Sequence, residues 1–131
     1  MFINDYNACI EQKCEKIYSL VKGLLKKGKP VHGIGLQGHY NINFPSVEAI
    51  KKGIDRLASL GLKIQITEMD ISMFGYEDRR KDLTMPSEEM LKNSQKRMLE
   101  YLNCLGAIVT LLQELRYGVS LMITHGLIHF L

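Results

Sequence analysis

Apolar and polar positions along the chain alternate between two periods, and the switches between them mark out strands and helices. Phe2–Tyr6 is a short apolar run that turns polar, read as a strand with its tip at Asn4–Asn7. From Glu11 to Lys27 the period becomes helical, with Ile17, Leu20, Val21, Leu24 and Leu25 on one side. Gly28 stands where a helix end favours glycine, and Pro30 follows. "VHGIGLQGH" is the second strand, its interior thinned by glycines. Ser46 is a natural N-cap for a second helix, with Glu48 in the first turn and Val47, Ile50, Ile54, Leu57 and Leu60 as the apolar stripe. Gly61 ends it, and "LKIQITEMDI" is the third strand. In that strand Leu62, Ile64 and Ile66 alternate along one face, and unbroken alternation puts Glu68 and Asp70 on the same face. A polar stretch, Gly75–Pro86, leads to another helical segment, Ser87 to about Leu102, capped by Ser87.

The three strands recur at the spacing of βαβ units, whose crossovers make neighbouring strands parallel. The fold class is therefore α/β, either an open doubly wound sheet or part of a closed (β/α) barrel. With 131 residues the chain suggests one domain but falls short of the roughly 250 residues of a complete barrel.

Sites in parallel α/β folds lie at the C-terminal ends of the strands. Here those ends carry Asn4, Asp5, Tyr6 and Asn7 on the first strand, Gln37 and His39 on the second, and Glu68 and Asp70 on the third. If the strands are neighbours, the tips form one patch. A carboxylate near an imidazole and a second carboxylate can be held ionised and oriented, ready to act as nucleophile or base. A single Glu at a strand tip is ordinarily solvated or paired, but three consecutive tips carrying Gln, His, Glu and Asp favour a site. Gly33-Ile34-Gly35 is no dinucleotide fingerprint, because the third glycine is misplaced and no helix begins there. His125 and His129 are four apart without a third ligand or an intervening Glu, so no metal site is expected.

"FINDYN", "HGIGLQGH" and "QITEMDIS", in this order and spacing, resemble glycoside hydrolase family 10, the endo-1,4-β-xylanases, and most of all its intracellular bacterial members. The resemblance runs from about Met1 to Met98. It implies a (β/α)₈ TIM barrel that hydrolyses xylan with retention, present here as about half a barrel corresponding to strands five to seven with their helices. It implies Glu68 as catalytic nucleophile, His39 as its hydrogen-bond partner and Asp70 as the carboxylate that holds the histidine. Gln37, Tyr6 and Asn4 become substrate-binding residues, xylan or xylo-oligosaccharide the partner, and no cofactor is expected. Met69 replaces the family's usual leucine, a change that conserves volume. The acid/base glutamate of this family follows a W-D-V-x-N-E motif on the fourth strand, and that motif is absent from the chain. The expected function is thus an endo-1,4-β-xylanase in fragment form, completed only by an N-terminal barrel fragment. The alternative is an inert gene remnant or a weak xylan-binding half-barrel.

The resemblance stops near Asn103, which divides the chain into a partial catalytic domain, 1–102, and a tail, 103–131. The tail lacks the family's V-T-x-W-G strand and D-D-x-x-W-L segment, and the chain has no Trp at all. A shifted reading frame accounts for this. If each codon takes the last base of one triplet and the first two of the next, Leu121–Leu127 can spell Asp-Asp-His-Thr-Trp-Leu and Tyr117–Val119 can spell Trp-Gly. The tail is accordingly expected to be out of frame, in place of the eighth strand.

Composition narrows the picture only a little. A net charge of +3 with dispersed Lys and Arg gives no concentrated basic face for nucleic acid. No apolar run approaches the length of a membrane span. Cys9, Cys14 and Cys104 are an odd number without framework spacing, which fits a reduced compartment. No signal peptide is visible, so the reading is cytoplasmic, subject to a truncated N-terminus.

Overall fold

The computed structural model describes residues 1–74, 86–114 and 119–121, with side chains described as far as residue 106. Its elements alternate: β1 (Phe2–Tyr6), α1 (Glu11–Lys26), β2 (Gly33–Asn41), α2 (Val47–Ala58), β3 (Lys63–Ser72), α3 (Glu88–Glu114) and β4 (Val119–Leu121). Among the described residues the strands form one sheet in the order β1-β2-β3-β4, and every neighbouring pair is parallel.

The helix boundaries follow local chemistry. Ser46 Oγ accepts the Ala49 N–H at the start of α2, and Ser87 Oγ accepts the Met90 N–H at the start of α3, each satisfying a donor the helix itself leaves open. Past α1 and α2 the chain reverses at Gly28 and Gly61, both in the left-handed region. One end departs from expectation: α3 runs to Glu114 rather than to about Leu102. No proline interrupts that stretch, and each added residue contributes a backbone bond once a helix is under way. Tyr101 and Leu105 are buried where α3 crosses the sheet.

The helices cover one face of the sheet. Ile34, Leu36 and Tyr40 from β2 and Ile64 and Ile66 from β3 pack there against Ile17, Val21, Ile54 and Leu57 from α1 and α2. Burying each large aliphatic side chain contributes about 1.5–3 kcal/mol before chain entropy is counted. Tyr101 is fully buried: its ring meets Tyr40 edge-on at 5.1 Å and its hydroxyl donates to the Pro45 carbonyl at 2.7 Å. The Arg97 guanidinium donates to the same carbonyl, so α3 is tied to the loop that follows β2.

β3 corrects the reading of its own faces. Its register against β2 is regular from Gly33↔Lys63 to Leu36↔Ile66 and then jumps to Gln37↔Glu68, leaving Thr67 as an extra residue. This is a β-bulge, and it reverses which side each later residue faces. Ile64 and Ile66 lie on the helix-covered face with Ile34 and Leu36. Glu68 and Asp70 do not share that face. They pair with Gln37 and His39 on the opposite, inner face, while Met69 and Ile71 take over contact with the core. The physical cause is visible in the apolar spacing: 64 and 66, then 69 and 71, a slip of one position that an unbroken strand cannot satisfy.

β4 lies beside β3, with Ile64↔Val119 and Ile66↔Leu121 in register, where the sequence placed the tail in lieu of an eighth strand. His125, His129 and most of the segment read in a shifted frame lie outside the described residues, as do residues 75–85.

Candidate active site

The inner face of the sheet collects Asn4, Tyr6, Gln37, His39, Glu68 and Asp70. Asn4 and Tyr6 of β1 register with Gly35 and Gln37 of β2, and Gln37 registers in turn with Glu68 of β3. Tyr6, Gln37 and Glu68 therefore make one row across three strands, and His39 and Asp70 make the next. The strands' parallel direction puts both rows at their C-terminal ends, where backbone pairing no longer needs apolar cover.

His39 is the hub. Its Nδ1 lies 2.5 Å from Asp70 Oδ2, and its Nε2 lies 3.1 Å from Glu68 Oε2. The hydrogen bond to Asp70 raises the imidazole pKa above its ordinary value, against the opposing effect of partial burial, with the Asp70 and Glu68 charges adding to the rise. A protonated ring donates from both nitrogens, so one imidazolium fixes two carboxylates at once. Glu68 is thereby held in one orientation, as a nucleophile requires. The cluster is open: the side chains of His39, Glu68 and Asp70 are 44%, 45% and 60% exposed, because among the described residues no layer covers the inner face.

Among the described residues the strands bring only these two carboxylates to the inner face. Asp5 belongs to the other face, where it pairs with Lys13 Nζ at 2.8 Å. That lysine also sits 4.7 Å from the centre of the Tyr6 ring. No group of three His, Cys, Asp or Glu side chains is arranged for a metal among the described residues. A cavity of about 430 Å³ lies elsewhere, between α1 and α2, lined by Cys9, Cys14, Lys52 and Arg56. Its chemistry is muted. Burial pushes both thiols up, and Arg56 is taken by a two-pronged ion pair with Glu15 at 2.6 and 2.8 Å.

Sequence reasoning passed over Thr67. Its Oγ1 donates to Asn4 Oδ1 at 3.1 Å, bridging β3 and β1 above Gly35. The signal was available in the one-position slip between the apolar pairs 64/66 and 69/71.

Residues 1–115 match the sequence model of glycosyl hydrolase family 10. The chain belongs to that family. An endo-1,4-beta-xylanase of Geobacillus stearothermophilus is 52% identical over 97 residues, 74% of this chain and 29% of that protein. The crystal structure of xylanase XynB from Paenibacillus barcinonensis, complexed with a conduramine derivative, superposes with a TM-score of 0.79 at 45% identity, covering 95% of this chain and 36% of that one. A mutant structure in complex with xylotriose gives a TM-score of 0.75 at 39% identity, covering 93% and 36%. This family 10 chain is thus a glycoside hydrolase by descent and folds as part of a TIM barrel. It spans about a third of the length of the relatives it matches.

Proposed function

We propose that this chain carries the nucleophile half of a retaining endo-1,4-β-xylanase site and binds xylo-oligosaccharide along its inner face. The observation that carries the reading is the His39 bridge between Glu68 and Asp70. Glu68 attacks the anomeric carbon, and the bond to the leaving sugar oxygen breaks as the glycosyl–enzyme ester forms. His39 keeps Glu68 aimed, and Asp70 holds His39 in place. Gln37, Tyr6 and Asn4, which lie in and beside the nucleophile's row, contact the sugar next to the bond that breaks. The xylotriose held by a family relative supports this substrate class.

A retaining enzyme also needs a carboxylic acid about 5–5.5 Å from the nucleophile to protonate the leaving oxygen and later activate water. Asp70 is committed to His39, and the strands bring no third carboxylate to the inner face among the described residues. The acid comes from polypeptide outside these residues, supplied by an N-terminal barrel segment that covers the inner face. We infer in addition that residues 103–131 are translated out of frame; codons that fail to spell the shifted peptide would refute this.

The test is covalent. A 2-fluoro-xyloside with a dinitrophenolate leaving group needs little acid assistance and traps the ester. Intact-mass and peptide analysis should place the adduct on Glu68 once the missing barrel half is added in trans, with none in Glu68→Gln. An adduct on any other residue overturns the assignment. The second reading, an inert half-barrel, is favoured by the openness of the cluster, and it is the outcome if the isolated chain neither labels nor binds xylotriose.

A further inference from the structure

The sequence of β3 poses a choice that its backbone alone leaves open. In unbroken register Thr67 would oppose Gln37 and Glu68 would oppose Gly38, which sends the glutamate into the apolar layer under α2. The bulge at Thr67 avoids this, and three features of the structure converge on it. Thr67 Oγ1 is hydrogen-bonded to Asn4 Oδ1, two strands away. The bridge passes over Gly35, where a Cβ would stand 2.8 Å from Asn4 Oδ1 and 3.0 Å from Thr67 Cγ2. On the other face, Gly38 leaves room for the Glu68 carbonyl oxygen, 2.8 Å from where a Cβ would be.

From this geometry the structure assigns Thr67 and Asn4 as a positioning pair: their hydrogen bond across Gly35 pins the bulge and so sets Glu68 on the inner face against His39. In this role the two residues act through Glu68, and for Asn4 it is separate from the sugar contact proposed above. A hydrogen bond of this kind is worth about 0.5–1.5 kcal/mol. That is modest for global stability but enough to bias a local choice between two registers roughly two- to twelvefold. The consequence for catalysis rests on Glu68 being the nucleophile; the positioning itself does not, because it is read from the Glu68–His39 contact.

The experiment is a pH titration of the His39 ring by NMR in the full chain. Among the described residues the ring meets Glu68 and Asp70 on β3, and Tyr6 from β1 lies on the same face; Asp5 faces away with Lys13. Glu68→Gln supplies the titration midpoint expected when the Glu68 charge is lost. Thr67→Val keeps the shape and removes the donor, and its His39 midpoint should fall toward that of Glu68→Gln. Thr67→Ser keeps the hydroxyl and should stay near wild type. Asn4→Leu removes the acceptor and should behave as Thr67→Val does, which covers the case in which one variant fails to fold. A folded Thr67→Val or Asn4→Leu with the wild-type His39 titration overturns the proposal. Failure of the covalent test on Glu68 would leave this result standing, so the two readings fail separately.

Discussion

Gly38→Ala is the sharpest test of how β2 accommodates the bulge. The added methyl would sit 2.8 Å from the Glu68 carbonyl oxygen, about 0.6 Å inside ordinary contact. That oxygen belongs to backbone paired with β2 at Gln37↔Glu68, so it cannot swing away as a side-chain end could. Overpacking of this sort costs about 1–3 kcal/mol. Replacing glycine within a strand returns roughly 0.5–1 kcal/mol by restricting the unfolded chain. The net expectation is a loss of up to about 2.5 kcal/mol, or as much as roughly 10 °C in Tm for a chain of this size. Gly23→Ala, inside α1 with nothing within 4 Å of its Cβ, is the matched control and should gain about 0.5–1 kcal/mol. Pulse proteolysis in urea on dilute protein reads both variants without requiring high solubility. Identical chemistry with opposite sign is the signature. Gly38→Ala stabilised as much as Gly23→Ala would refute the close approach of the Glu68 carbonyl.

Other outcomes follow from the same geometry. Asp70→Asn should lower the His39 titration midpoint, because the Asp70 hydrogen bond is the largest cause of its elevation; an unchanged midpoint would dissolve the hub. With the folded pKa above the ordinary 6.5, the His39 contribution to stability is complete below that pH and is lost as pH rises through the elevated value, which urea melts at pH 6 and 9 would detect. The isolated chain should turn over aryl xylosides negligibly, since removing a general acid costs about 10²- to 10⁴-fold, and turnover abolished by Glu68→Gln would contradict this. Leu57→Ala, at a fully buried position, should cost about 2–5 kcal/mol in the same urea assay. The inner face, with Phe2 and Tyr6 exposed, and the edge of β1, unpaired among the described residues, should drive self-association, whereas a monodisperse monomer in light scattering would argue otherwise.

The sequence by itself determined the alternation of strands and helices, the caps at Ser46 and Ser87, the turns at Gly28 and Gly61, and which polar residues stand at the strand tips. These are local quantities, set within a few residues by period, cap chemistry and φ preference, so the chain spells them out directly. It also carried the family resemblance, because "HGIGLQGH" and "QITEMDIS" keep chemistry at fixed spacing. Helix α3 was legible at its start but not at its end, since the end depends on what Tyr101 and Leu105 find to pack against. Only the tertiary structure decided which way Glu68 faces. Simple alternation assigned it to the side of Ile64 and Ile66, and the chain between 66 and 69 contains no glycine or proline to announce a change. The choice is made by partners distant in sequence: Leu36 and Gln37 setting the register, Gly38 yielding space, and Asn4 reaching across Gly35 to Thr67. A strand reads out its own period, but where it slips is settled by the neighbours it must match.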